Sequence, residues 1–171
     1  MPRNHKPRKR YAPKRSLWNP LAAALDRVTL LDAEQRVLLD SPLLGALEAF
    51  RTGRGTREHW MSLVDAMNVA ESIAQRGIFR EDRADAYGAA QAVLADVSDR
   101  HAAGRGWTLR GPEITALTLG VRCHELQMDQ VSQGEMSDAI ESVKRRVQQA
   151  LAGNASPGAR ICTAGLLGRA G

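Results

Sequence analysis

The sequence of 171 residues predicts an all-α protein, a single helical bundle of five or six helices. Three observations carry that prediction. Aromatic residues make up only 4% of the chain and its apolar content is mostly Ala and Leu, which favours helix packing over sheets. Through much of residues 17–152, apolar positions recur at steps of three and four, the spacing of one helical stripe. These stretches open on capping residues and close on glycine.

Asn19-Pro20 opens the first helix, an N-cap followed by proline at the first helical position, with Leu21, Leu25 and Val28 on its stripe. Asp32 restarts or continues it toward Leu39. Ser41-Pro42 repeats the cap-plus-proline device and predicts a new helix, carrying Leu43, Leu47 and Phe50 up to Gly53. Thr56 caps the next, whose buried face is Trp60, Leu63, Val64, Met67, Ala70 and Ala74, with Gly77 as its stop. From about Glu81 a further helix presents Tyr87, Ala90, Leu94 and Val97 and ends near Gly104. Ile114, Leu117, Val121, His124, Met128 and Val131 mark the clearest stripe of all. Ser132 and Glu135 then form an S-x-x-E capping box before Met136, Ile140, Val143, Val147 and Leu151. Gly53-Arg54-Gly55 and Gly104-Arg105-Gly106 each precede a long helix with a tryptophan nearby. No sustained period surrounds them, so recurrence of turn residues is the expected cause.

Charge divides the chain more sharply than hydropathy does. The net charge is +5, from 24 Lys and Arg against 19 Asp and Glu. Seven of the 24 stand in the first fifteen residues, where no acid occurs, so the remainder is slightly acidic. Residues 1–16 also hold three prolines and almost no apolar side chain, and such a segment cannot offset its ordering entropy. The expected organisation is a disordered basic arm at 1–16, a helical bundle at 17–152 and a loose Gly/Ala-rich tail at 153–171.

A cationic terminus acts through attraction to polyanions, so the candidate partner is nucleic acid, DNA or RNA, or a nucleoprotein complex. Arg3, Lys6, Arg8, Lys9, Arg10, Lys14 and Arg15 would neutralise phosphates, and Tyr11 would stack on a base or ribose. Lys144, Arg145 and Arg146 would extend that surface if the fold brings the two ends together, although Glu141, four before Arg145, also suits a solvated helix face.

Catalytic signatures are missing. His124-Glu125 begins the zinc-protease pattern, but Met128 stands where its second histidine belongs. His124 therefore reads as a packed histidine on an apolar stripe. Glu58-His59 is explained by an acidic first helical turn. G-x-S-x-G, P-loop and dinucleotide fingerprints are absent. The reading is a non-enzymatic protein with no catalytic residues, no metal and no cofactor. Trp60 and Trp107 read as core or rim aromatics. Cys123 and Cys162 read as reduced thiols. No apolar run approaches the ~18–20 residues that span a bilayer, and Leu17–Leu25 is interrupted by Asn19 and Pro20, so a cytoplasmic location without membrane association is expected. The apolar stripes would also serve a homodimer.

Lys6-Pro7-Arg8-Lys9-Arg10-Tyr11 with Pro13-Lys14, then Asn19-Pro20, resemble the start of small helical proteins encoded by proteobacterial prophages and plasmids. Asp65-Ala66-Met67-Asn68-Val69-Ala70-Glu71 and His124-Glu125-Leu126-Gln127 are similar to the same group, and the likeness covers about residues 6–152. It implies a role in phage or plasmid life, such as regulation, DNA handling or countering host defence, and supplies no catalytic residues. Two functions follow as expectations. One is an accessory or regulatory protein that contacts nucleic acid through its arm. The other is a protein-interaction module that inhibits a host nucleoprotein complex, as an anti-CRISPR-type protein would.

Overall fold

Four of the described helices begin where a nearby side chain accepts a free backbone amide. A computed structural model describes residues 24–25, 27–78 and 84–153, and among them five helices form: α1 (Ala33–Arg51), α2 (Arg57–Ala74), α3 (Ala84–Ala102), α4 (Gly111–Met128) and α5 (Gln133–Leu151). The all-α class is as expected. The Asn19-Pro20 start, the start near Glu81, the basic arm and the tail beyond Gly153 lie outside the described residues.

Asp32 opens α1 through a capping box: its carboxylate accepts the Gln35 N–H at 2.8 Å while Gln35 accepts the Asp32 N–H at 3.0 Å. Thr56 Oγ1 accepts the His59 N–H at the start of α2. The Glu113 carboxylate accepts the Arg110 N–H at 2.8 Å at the start of α4. Ser132 and Glu135 form the predicted box at α5, with Oγ accepting the Glu135 N–H at 3.2 Å and the carboxylate accepting the Ser132 N–H at 2.9 Å.

The expected break at Ser41-Pro42 does not occur, and Pro42 lies inside α1. A proline there strips the Leu38 carbonyl of its helical donor. Leu38 is 69% exposed, so that carbonyl lies toward water and the helix continues. Leu25, which is helical, and Val28, in the turn before α1, both expected on a buried stripe, are exposed. Leu151 is likewise exposed. The buried seam of α5 runs through Met136, Val143 and Ala150, a seven-residue repeat that leaves Leu151 one step off the contact.

Among the described residues, helix α2 packs against all four other helices, and α5 packs mainly against α2. Side-chain pairings give the directions. Arg100 meets Glu113 while Ala90 meets Gly120, so α3 and α4 are antiparallel. Arg76 meets Asp138 while Arg146 meets Glu71, so α2 and α5 are antiparallel too. The main core gathers Trp60, Leu63, Met67, Tyr87, Leu94 and Leu117, each at most 1% exposed. Full burial of one such side chain is worth about 1.5–3 kcal/mol. A smaller core joins Leu31, Ile73, Met128, Val131 and Met136 at the base of α5. There residues 29–31 lie along the α4–α5 turn, with the Gln133 N–H donating to the Thr29 carbonyl at 2.9 Å.

The two Gly-Arg-Gly segments turn out to be structurally alike. Gly53 and Gly104 take φ of 71° and 78°. The Arg54 N–H reaches back to Ala49 and the Arg105 N–H to Arg100, at 2.7 and 2.9 Å, which gives α1 and α3 the same Schellman ending. Gly55 answers to a different constraint. A Cβ there would stand 2.8 Å from the Trp107 carbonyl oxygen and 2.7 Å from the Phe50 ring. The two segments therefore meet, and Trp60 and Trp107 sit together with ring centroids 5.4 Å apart.

Candidate functional site

The basic run on α5 and the groove beside it form the most featured surface among the described residues. Arg3, Lys6, Arg8, Lys9, Arg10, Tyr11, Lys14 and Arg15 lie outside those residues. Lys144, Arg145 and Arg146 point in three directions, as consecutive helical positions must. Lys144 is exposed and pairs with Glu141 at 2.8 Å, and this contact holds the Glu141 carboxyl below its usual range. Arg145 is exposed as well. Arg146 turns inward and joins α5 to α2, with Nη1 donating to Glu71 and Nη2 to the Asn68 carbonyl, both at 3.2 Å. Glu71 also accepts from Gln91 of α3 at 3.1 Å, so one carboxylate ties three helices. The run thus leaves two cations, Lys144 and Arg145, facing solvent.

Beside the Arg146 contact a groove of about 470 Å³ opens between α2 and α5. Trp60 and Val64 form its α2 wall, and Ile140, Val143 and Val147 form its α5 wall. Trp60 is fixed by its Nε1–H, which donates to the Leu94 carbonyl at 2.8 Å. Four polar residues also line it, Asp65 and Asn68, three residues apart on one face of α2, and Lys144 and Gln148 of α5. Asp65 is reached by solvent, yet the apolar walls deprive its carboxylate of part of its hydration and raise its pKa. Asp65, Val69 and Ile140 also border a second depression of about 260 Å³, which His124 helps to line.

His124 is buried and its pKa is lowered, because burial disfavours the imidazolium more than Gln127 and Glu125 favour it. Its Nδ1 lies 3.3 Å from Gln127 Oε1. Gln127, fully buried, donates in turn to the carbonyls of Ala70 and Ile78 at 3.1 and 3.4 Å. Asp40, on α1, has a raised pKa from burial and from Glu125 nearby, with Arg36 opposing. No group of three His, Cys, Asp or Glu side chains among the described residues is disposed to hold a metal ion. No described helix is long and apolar enough to cross a membrane.

Sequence reasoning identified the cations and the packed histidine and missed the groove. Asp65 and Asn68 carry no local signature of a site, since α5 closes the groove from more than seventy residues away. No family model, curated protein or solved structure matches the chain.

Proposed function

We propose that this is a non-enzymatic accessory protein of the prophage and plasmid kind, and that its arm engages nucleic acid while the bundle carries the arm. One observation supports the reading above others, the segregation of charge. Among the described residues 13 Lys and Arg face 16 Asp and Glu. Seven of those cations, Arg36, Arg51, Arg76, Arg100, Arg122, Lys144 and Arg146, are held in ion pairs. A body so compensated offers little to a phosphate backbone. The seven cations of the first fifteen residues, with no acid among them, are the densest cationic group in the chain and the one best placed to release counterions. Lys144 and Arg145 add at most a small extension.

The test compares binding of the full chain to labelled DNA and RNA with two variants. One has the seven arm cations replaced by Ser, and the other carries Lys144→Ser and Arg145→Ser. Replacement in the arm lowers affinity on the order of a hundredfold or more, and replacement on α5 lowers it only a few-fold. Equal binding by the arm variant would sink the reading.

A second reading, a protein-interaction module, draws on one feature of α1. Val37 and Leu38 are 61% and 69% exposed, side by side, with nothing among the described residues over them. Adjacent exposed apolar residues suit a protein partner, and such a partner would bind when the arm is neutralised.

A further inference from the structure

We propose that the end of the bundle where the two Gly-Arg-Gly turns meet is a second nucleic-acid contact. It holds one nucleotide of a single strand, with the base stacked on His101 and the flanking phosphates on Arg54 and Arg105. The charge compensation of the body is uneven. Residues 48–58 and 99–113, which make this end, hold six Lys and Arg against four Asp and Glu, whereas the other described residues hold seven against twelve. Two of those four acids are already taken, Glu48 by Arg51 at 3.0 Å and Glu113 by Arg100 at 2.8 Å. The other two are Asp99 and Glu58, and Glu58 accepts from the Thr56 hydroxyl at 2.8 Å. Arg54 and Arg105 are exposed and make no ion pair among the described residues. Arg54 Nε donates only to the Thr52 hydroxyl, at 3.2 Å. The approach of Gly55 to the Trp107 carbonyl joins the two turns, so both arginines stand within two residues of one contact.

A ladder of rings specifies the partner. Trp60 is buried and tied to Leu94, and Trp107 lies over it with centroids 5.4 Å apart. His101 stacks on Trp107 in turn, at 4.0 Å and with planes 19° apart. His101 is exposed, so the ladder ends on a ring whose outer face meets water. A ring backed by a buried stack and bordered by arginines is a platform for an unstacked base. Guanidinium forks match the geometry of phosphate oxygens. Bases within a duplex have both faces covered by their neighbours, so a single strand is the form that fits. An acidic peptide would use the arginines and leave the ring idle. This end also lies away from the root of the arm. The arm joins the bundle by way of Arg27, which lies against Gly134 at the start of α5, beside the end of α2. Helix α2, with 18 residues, sets the Gly-Arg-Gly end about 27 Å from there. The inference rests on the proposed function for the class of partner and adds a site that the arm does not include.

Proton NMR of the full chain, titrated with a short oligodeoxyadenylate, tests the stack directly. The carbon-bound ring protons of His101 are expected to move upfield, and to stay in place with an abasic strand of the same length. Affinity for the labelled oligodeoxyadenylate then divides the roles. His101→Ala should lower it about tenfold, the scale of one base on one ring, and His101→Phe should restore it. Arg54→Ser with Arg105→Ser should lower affinity about tenfold for both strands, since it removes phosphate contacts alone. All three side chains are exposed, so circular dichroism should stay unchanged. Unmoved His101 protons, equal movement with the abasic strand, or full affinity in His101→Ala would overturn the proposal. So would the same movement with polyglutamate, which would give this end to an acidic protein. Failure of the arm reading would show differently, as undiminished affinity when the seven arm cations are replaced by Ser, with the His101 shift intact.

Discussion

Gln127 satisfies three groups at once, two backbone carbonyls from the end of α2 and beyond it, and the ring of His124. Gln127→Leu keeps the volume but removes the partner of the His124 ring and of the Ile78 carbonyl and a second donor to the Ala70 carbonyl, so it is expected to cost about 2–3 kcal/mol, read as a fall in the urea midpoint. His124 gives a pH dependence of definite sign. Its folded pKa lies below the ordinary 6.5, so between those two values the unfolded chain binds more protons. Its contribution is complete above 6.5 and is lost as pH falls toward the folded value. Urea titrations across this range should show stability dropping on acidification, with a shallower drop in His124→Gln. The burial of His124 was legible because stripe position decides burial. The exposure of Asp65 in an apolar frame was not, because nothing within a helical turn of it records where α5 will lie.

Helix α4 approaches α3 through Gly120, where a Cβ would come within 2.7 Å of the Ala90 Cβ and 3.0 Å of the Met67 Sδ. Gly120→Ala is expected to destabilise by about 1–3 kcal/mol through overpacking. Gly45 in α1 and Gly88 in α3 are exposed, and a Cβ there would meet nothing within 4 Å. Alanine at each should stabilise by up to about 1 kcal/mol, because glycine is the weaker helix former. Thermal unfolding of the three single variants checks the opposite signs. Helix ends are where the sequence was most readable: the restart at Asp32, the box at Ser132 and the stops at Gly53 and Gly104 act within six residues of their partners. Ser41-Pro42 misled because the same dipeptide starts a helix or rides on the water side of one, and only packing at Leu43 and Leu47 distinguishes them. The kinship of the two Gly-Arg-Gly turns needed three dimensions, since their meeting point is the contact of Gly55 with Trp107.

Taken whole, the described residues form a packed set of four helices with a fifth leaning mainly on α2. Among the described residues, helices α1 to α4 each pack against two or more others, whereas α5 packs mainly against α2 and buries four residues against the nine of α2. Local opening follows contact density, so α5 amides should exchange with deuterium well before those of α2, α3 and α4. Hydrogen–deuterium exchange resolved by segment measures this, and equal protection of α5 and α2 would contradict it. Such opening would also loosen the α2–α5 groove. Charge is arranged on the same large scale, a compensated body and a concentrated cationic arm, and that arrangement carries the functional account. Its most direct test is the salt dependence of full-chain binding to DNA and RNA. Neutralisation of three to seven phosphates predicts a log–log slope between about −3 and −6, lost when the arm cations are replaced. A flat slope, or no binding at low salt, would contradict the account and turn attention to a protein partner of the bundle.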